Sequence, residues 1–174
     1  SKFFKSFAAF LIILFSILFS VSVSASDEIL KRDNFLKSSL GVSTVPMHSY
    51  VILKDDIESG VNKILGDSYH LPVIKYWKVG DKIAFVLEAI GKHEFITTGF
   101  VVENNQISDV KVLVYRENYG YEIKYDYFLD QIKGNKTQAN GKLVKRLANI
   151  SGATLSVNSM RRLSKLSLFL YSKI

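Results

Sequence analysis

Four short runs rich in β-branched and aromatic residues dominate the middle of the chain: KYWKVG from Lys75, KIAFVLEAIG from Lys82, EFITTGFVVENN from Glu94 and QISDVKVLVYREN from Gln106. The joins between them carry GD, GKH and ENNQ, which is turn chemistry and little else. Connections of two to four residues leave no room for a crossover helix, so the strands must be sequential and antiparallel. The apolar residues of KIAFVLEAI are nearly continuous, which predicts a central strand covered on both faces, with a helix over one of them.

Helical spacing appears on either side of this meander. From Tyr50, the stretch VILKDDIESGVNKILG sets Ile57, Val61, Ile64 and Leu65 on one face, with Gly66 as a stop, and predicts one helix of about three turns. YDYFLDQIKG, residues 125–134, has Tyr127, Phe128, Leu129 and Ile132 at helix-like spacing, and GNKTQANG after it reads as a loop. KLVKRLANI offers Leu143, Leu147 and Ile150. The last stretch carries Leu155, Met160, Leu163, Leu166, Phe169 and Leu170 as an apolar stripe, with Arg161, Arg162, Lys165 and Lys173 on its wetter side. The expected fold class is α+β: an antiparallel meander sheet flanked by helices, the C-terminal helix starting at an SGAT sequence.

The first 25 residues read as a leader. Lys2 and Lys5 precede an apolar run from Phe7 that continues to Val23, and Val23, Ser24 and Ala25 form a small-residue cleavage pattern, so removal is expected after Ala25. Retained, residues 7–23 would be a short membrane anchor. Either way the remainder is expected to be exported, to the periplasm or the outer face of the cytoplasmic membrane. Residues 26–46 read as a short helix around Asp27 to Leu36 and a linker, and 47–174 as one domain.

Composition removes several function classes. Without cysteine there are no disulfides, thiolate metal sites or iron–sulfur clusters. His48, His70 and His93 lie in separate segments with no paired spacing, which argues against a metal site. No GxSxG, HExxH or Walker sequence is present for hydrolysis or nucleotide triphosphates, and no catalytic residue is named. Of 23 basic side chains, Lys2 and Lys5 go with the leader, and the rest set against 16 acidic ones leave a net of +5. That excess favours phosphate or an anionic membrane face and is too dispersed for nucleic acid.

The chemistry-bearing stretch is NISGATLSVNSM, residues 149–160. If the last helix starts at Ala153 to Leu155, its first turn offers free backbone N–H groups and a partial positive charge, where a phosphate is held best. Ser151 and Thr154 add hydroxyls, while Gly152 and Ala153 lack bulk. Plain helix capping is the competing reading of the same residues.

ISGATLS resembles the attachment motif of the FMN-binding domain family, found in the C subunit of the sodium-translocating NADH:quinone reductase and the G subunit of the Rnf complex. That motif runs Asp, two variable residues, Ser or Thr, Gly, Ala, Thr. The resemblance implies that Thr154 carries FMN through a phosphoester bond made by a flavin transferase, and that Ser151, Gly152 and Ala153 are recognition and phosphate-contact positions. Ala148 stands where the motif has Asp, and Asn149 is the nearest polar residue. A second family feature is a Glu with a Gly three residues on, after a strand, matched by Glu117, Gly120 and the following Tyr121, with Asn118 and Tyr119 between.

The resemblance implies an electron-transfer flavoprotein, with redox proteins or quinone-linked membrane components as partners and no nucleic acid. Reversible FMN binding, and a flavin-free module using the basic last helix at a membrane surface, are the other two readings.

Overall fold

The computed structural model describes residues 24–66 and 71–174. Residues 1–23 of the expected leader, and His70, lie outside the described residues.

A five-stranded antiparallel sheet runs in sequence order: β1 (His48–Ile52), β2 (Val73–Val79), β3 (Lys82–Ile90), β4 (Phe95–Glu103) and β5 (Gln106–Tyr115). The four expected strands form where the short connections require them. Asn104 and Asn105, at φ 52° and 59°, take the positive dihedrals that a two-residue hairpin turn demands. The fifth strand, β1, was not legible: HSYVI is an edge strand and buries only Val51.

Side-chain alternation sends two sets of residues to opposite faces of the sheet. On one face Ile83, Phe85, Leu87, Ile96, Phe100 and Val102 meet helix α4 (Thr154–Tyr171), which contributes Val157, Met160, Leu163, Leu166 and Leu170. Each such side chain removed from water contributes about 1.5–3 kcal/mol, so α4 is held by its packing. Leu155 belongs to the apolar spacing but stays half exposed, because it sits in the first turn, beyond the sheet. Helix α2 (Asp55–Leu65) forms where expected, ends at Gly66 with φ 88°, and packs on α4, where the Phe169 ring fills the space that a Cβ on Gly60 would need.

The opposite face is also covered, by helix α1, whose described residues are 24–40. It runs past Leu36, where the sequence pattern ended it, because Leu40 joins Phe35 and Leu36 in a second core with Trp77, Ala84, Val101 and Leu113. Gly99 makes room for it, since a Cβ there would stand 2.3 Å from the Phe35 ring. The sheet is therefore flanked by helices on both faces, as the near-continuous apolar run of β3 requires.

Residues 125–134 depart from expectation. Only Asp126–Leu129 is helical (α3), preceded by a 3-10 turn at Tyr121–Lys124, and the chain then continues in hydrogen-bonded turns to Gly134. Phe128, Leu129 and Ile132 are buried as the spacing required, but Tyr127 points to solvent. Among the described residues no helix is long and apolar enough to cross a membrane.

Candidate functional site

Helix α4 begins without a side-chain cap. Ala153 occupies the capping position, and the first intrahelical bond runs from the Val157 N–H to the Ala153 carbonyl at 3.0 Å. The amides of Thr154, Leu155 and Ser156 thus lie ahead of the ladder, with the positive end of an 18-residue helix behind them. Gly152 enters the turn at φ +79° with nothing within 4 Å of where a Cβ would be. Thr154 is exposed, and its Oγ1 accepts a 3.0 Å hydrogen bond from Asn149 Nδ2.

The opposite wall comes from the other end of the sheet order. Because Ile96 pairs with Tyr115, the end of β5 lies beside the start of β4, and Glu117 falls next to the β3–β4 turn. One oxygen of Glu117, Oε1, accepts three backbone N–H bonds, from Lys92 at 2.5 Å, His93 at 2.6 Å and Glu94 at 3.0 Å. Gly91 permits this, since a Cβ there would meet that oxygen at 2.8 Å. Desolvation pushes the Glu117 carboxyl up, but the three amides and the nearby His93 outweigh it and hold the pKa below the usual value.

A folded-state pKa lowered in this way stabilises the turn fully above the unfolded value of about 4.3, and the contribution is lost as pH falls through the lower folded value. Thermal melts of the wild type and Glu117→Gln should therefore differ at pH 7 and converge as pH drops below about 4. A constant difference down to pH 3 would show that the carboxylate charge plays no part in holding the turn.

Gly120 joins the two walls. It sits buried at φ +83°, and a Cβ would meet Tyr115 Oη at 2.9 Å and both Ala153 Cβ and Ser156 Oγ at 3.1 Å. The Tyr115 hydroxyl donates to the Tyr119 carbonyl and lies 3.1 Å from Ser156 Oγ. Burial raises the Tyr115 pKa, partly offset by Ser156, and the charges of Glu117 and Glu122 raise it further, so the phenol stays a donor. Ala153 is small because it lies under this glycine turn.

Between the walls is an open cavity of about 470 Å³, lined by Lys92, His93, Glu117, Tyr119, Thr154 and Leu155 among others. That size lies within the range of cofactor pockets. Of the sequence-derived site residues, Glu117, Gly152, Ala153 and Thr154 line it. Ser151 is exposed on the turn before α4, and Gly120 lies in the joint between the walls rather than in the lining. Tyr121 packs edge-on against Tyr125 at 6.1 Å instead. Lys92 was not foreseen, Asn118 entered only as a residue between Glu117 and Gly120, and His93 was weighed only as a metal ligand.

The donor set suits a phosphorylated ligand with a flat apolar body. Uncapped amides and the Thr154 hydroxyl lie together at the start of α4, Lys92 adds a cation to the lining from the facing turn, and Tyr119, 80% exposed, offers a ring surface at the rim. FMN has that shape, and its phosphate would be held by the start of α4 with its ring toward the Glu117–Tyr119 side.

Comparisons with known proteins agree. Residues 91–168 match the family model of the FMN-binding domain, and every cavity-lining residue lies within that span. No curated protein matches the chain. Among solved structures, that of Shewanella oneidensis NqrC shares the fold, with a TM-score of 0.61 at 14% identity, covering 83% of this chain and 93% of that one. The matched span runs from the turn gripped by Glu117 into α4: residues 91–168 are similar to the FMN-binding domain family, and that match supports FMN as the cofactor.

Proposed function

We propose that this protein is an exported electron-transfer flavoprotein whose FMN is tethered through its phosphate to Thr154. The observation that carries this reading is the exposed Thr154 hydroxyl at the uncapped start of α4, on the wall of the 470 Å³ cavity. When bound, FMN supplies one-electron and two-electron redox chemistry. The chain's own groups would hold and orient it: the first-turn amides would hold the phosphate, and Glu117 fixes the turn from which Lys92 and His93 line the cavity. Tethering would form an O–P bond from Thr154 Oγ1 to the FMN phosphorus as a flavin transferase breaks the phosphoanhydride bond of a flavin dinucleotide, a nucleoside monophosphate leaving and the hydroxyl proton passing to solvent. A covalent link would keep the cofactor from being lost outside the cytoplasm.

Export rests on the leader-like residues 1–25, and residues 7–23, if retained, would hold the domain at the membrane beside its redox partners. Those partners would be redox proteins or quinone-linked membrane components, matching the fold shared with NqrC.

Asn149 favours a second reading, reversible binding. The family's Asp position holds Ala148, and the group on the Thr154 oxygen is an amide that donates a proton and cannot take one up. Protein made with a flavin transferase and run on a denaturing gel separates the readings. Flavin fluorescence that stays with the band supports the tether, flavin released on denaturation supports reversible binding, and a colourless protein contradicts both.

A further inference from the structure

Cations gather on the side of α4 away from the flavin seat. Loop 134–147 folds along the helix, and between them lies a cavity of about 400 Å³ whose charged lining residues are Lys142, Lys145, Arg146, Arg161 and Lys165, with no carboxylate. A second cavity of about 480 Å³ between α2, α4 and the same loop shares Lys142 and Lys165 with it, adds Lys63, and again has no acidic lining residue. Among the described residues, the ion pairs occupy Lys31, Arg32, Arg116, Lys133 and Lys173, so none of these six cations has a carboxylate partner.

The groove is built rather than incidental. Asn135, fully buried, clamps the loop wall: its Oδ1 accepts from the Lys145 N–H at 3.0 Å and its Nδ2 donates to the Lys145 carbonyl at 2.9 Å. The Lys145 ammonium donates to the Lys133 carbonyl at 3.2 Å. Leu147, 1% exposed, pins the loop against α4. On the helix wall, Arg161 is braced by Asn158 Oδ1 at 2.5 Å and by the Leu147 carbonyl at 3.5 Å, and Lys165 follows one turn later on the same face. Holding like charges around one concavity is unfavourable on its own, and the low-dielectric walls concentrate their field on whatever enters.

We infer that this groove is a second anion site, distinct from the flavin seat, that takes a ligand bearing phosphate, with room for more than one phosphate group. A guanidinium fork and several ammonium groups on facing walls fit phosphate oxygens, and a concavity of this size encloses a small anion better than it mates with a flat acidic protein face. Soluble phosphate compounds and lipid headgroups offer the same chemistry.

The test titrates the full chain, carrying its FMN so that the start of α4 is filled, with inorganic pyrophosphate at fixed ionic strength. Alongside it, flotation is measured with phosphatidylcholine vesicles containing phosphatidylglycerol. Arg161→Gln with Lys165→Gln should weaken binding by about tenfold or more, as should Lys142→Gln with Arg146→Gln on the exposed loop wall, where folding is at less risk. Saturable pyrophosphate binding lost in these variants supports a soluble phosphate ligand, and vesicle binding lost in them supports a lipid headgroup. Absence of both, binding unchanged in both double variants, or poly-glutamate binding as tightly as pyrophosphate would overturn the site, the last in favour of an acidic protein partner.

Discussion

Replacing Thr154 by Ala should abolish flavin fluorescence in a denaturing gel, while Thr154→Ser should keep it. The hydroxyl is the only part of this side chain that the proposed tether would use, and Ser retains it. Folding should be spared, since Thr154 is exposed and the hydrogen bond lost is to a surface Asn149, so the change in stability is expected to be within about 0.5 kcal/mol. Native binding of added FMN should weaken less than the tether does, because the α4 amides and Lys92 remain. Covalent flavin that persists in Thr154→Ala would move the attachment point elsewhere.

Gly120→Ala should be the most damaging single-methyl change in the site. A residue with a side chain at φ +83° costs about 1–2 kcal/mol in backbone strain. The added Cβ would also press Ala153 and Ser156, at about 1–3 kcal/mol for overpacking a fixed contact. Together these amount to about 2–5 kcal/mol, or a fall in Tm of about 10 °C for a domain of this size. Gly141→Ala provides the control: its φ is +76°, but a Cβ there would meet nothing within 4 Å, so only the backbone term applies. FMN affinity should drop in Gly120→Ala and stay unchanged in Gly141→Ala. Equal losses of stability in the two would mean that the joint between the 117–120 turn and α4 is not tight.

Elements whose apolar spacing is enforced by burial were readable from the chain. The meander, α2 and the start of α4 at Thr154 follow from short turns, a Gly66 stop and a long apolar stripe. β1 was hidden because an edge strand with one buried residue has no alternation to display. The end of α1 was hidden because only Phe35, Leu36 and Leu40 face the sheet, too sparse a stripe within a polar stretch. Residues 125–134 satisfied their apolar spacing with one short helix and successive turns, an arrangement that buries Phe128, Leu129 and Ile132 as well as a longer helix would.

The site was half legible for a related reason. Thr154, Gly152 and Ala153 are contiguous, so a local pattern revealed them. Lys92 and His93 reach the cavity only because β4 pairs with both neighbours, setting the β3–β4 turn beside the residue two beyond the end of β5. The available signal was Glu117 itself: an acidic residue just past a strand, placed by the meander next to a turn with free amides. Tyr121 was drawn in by its position beside Gly120, but the 3-10 turn directs it toward Tyr125.

A crystal structure of the flavin-loaded protein tests the central claim most directly. The expected result is a phosphorus atom bonded to Thr154 Oγ1 at the first turn of α4, with the ring system in the cavity between Glu117 and Leu155. Flavin seated in the basic groove beside Arg161 and Lys165, or a cavity at Thr154 that remains solvent-filled while the protein is yellow, would contradict it.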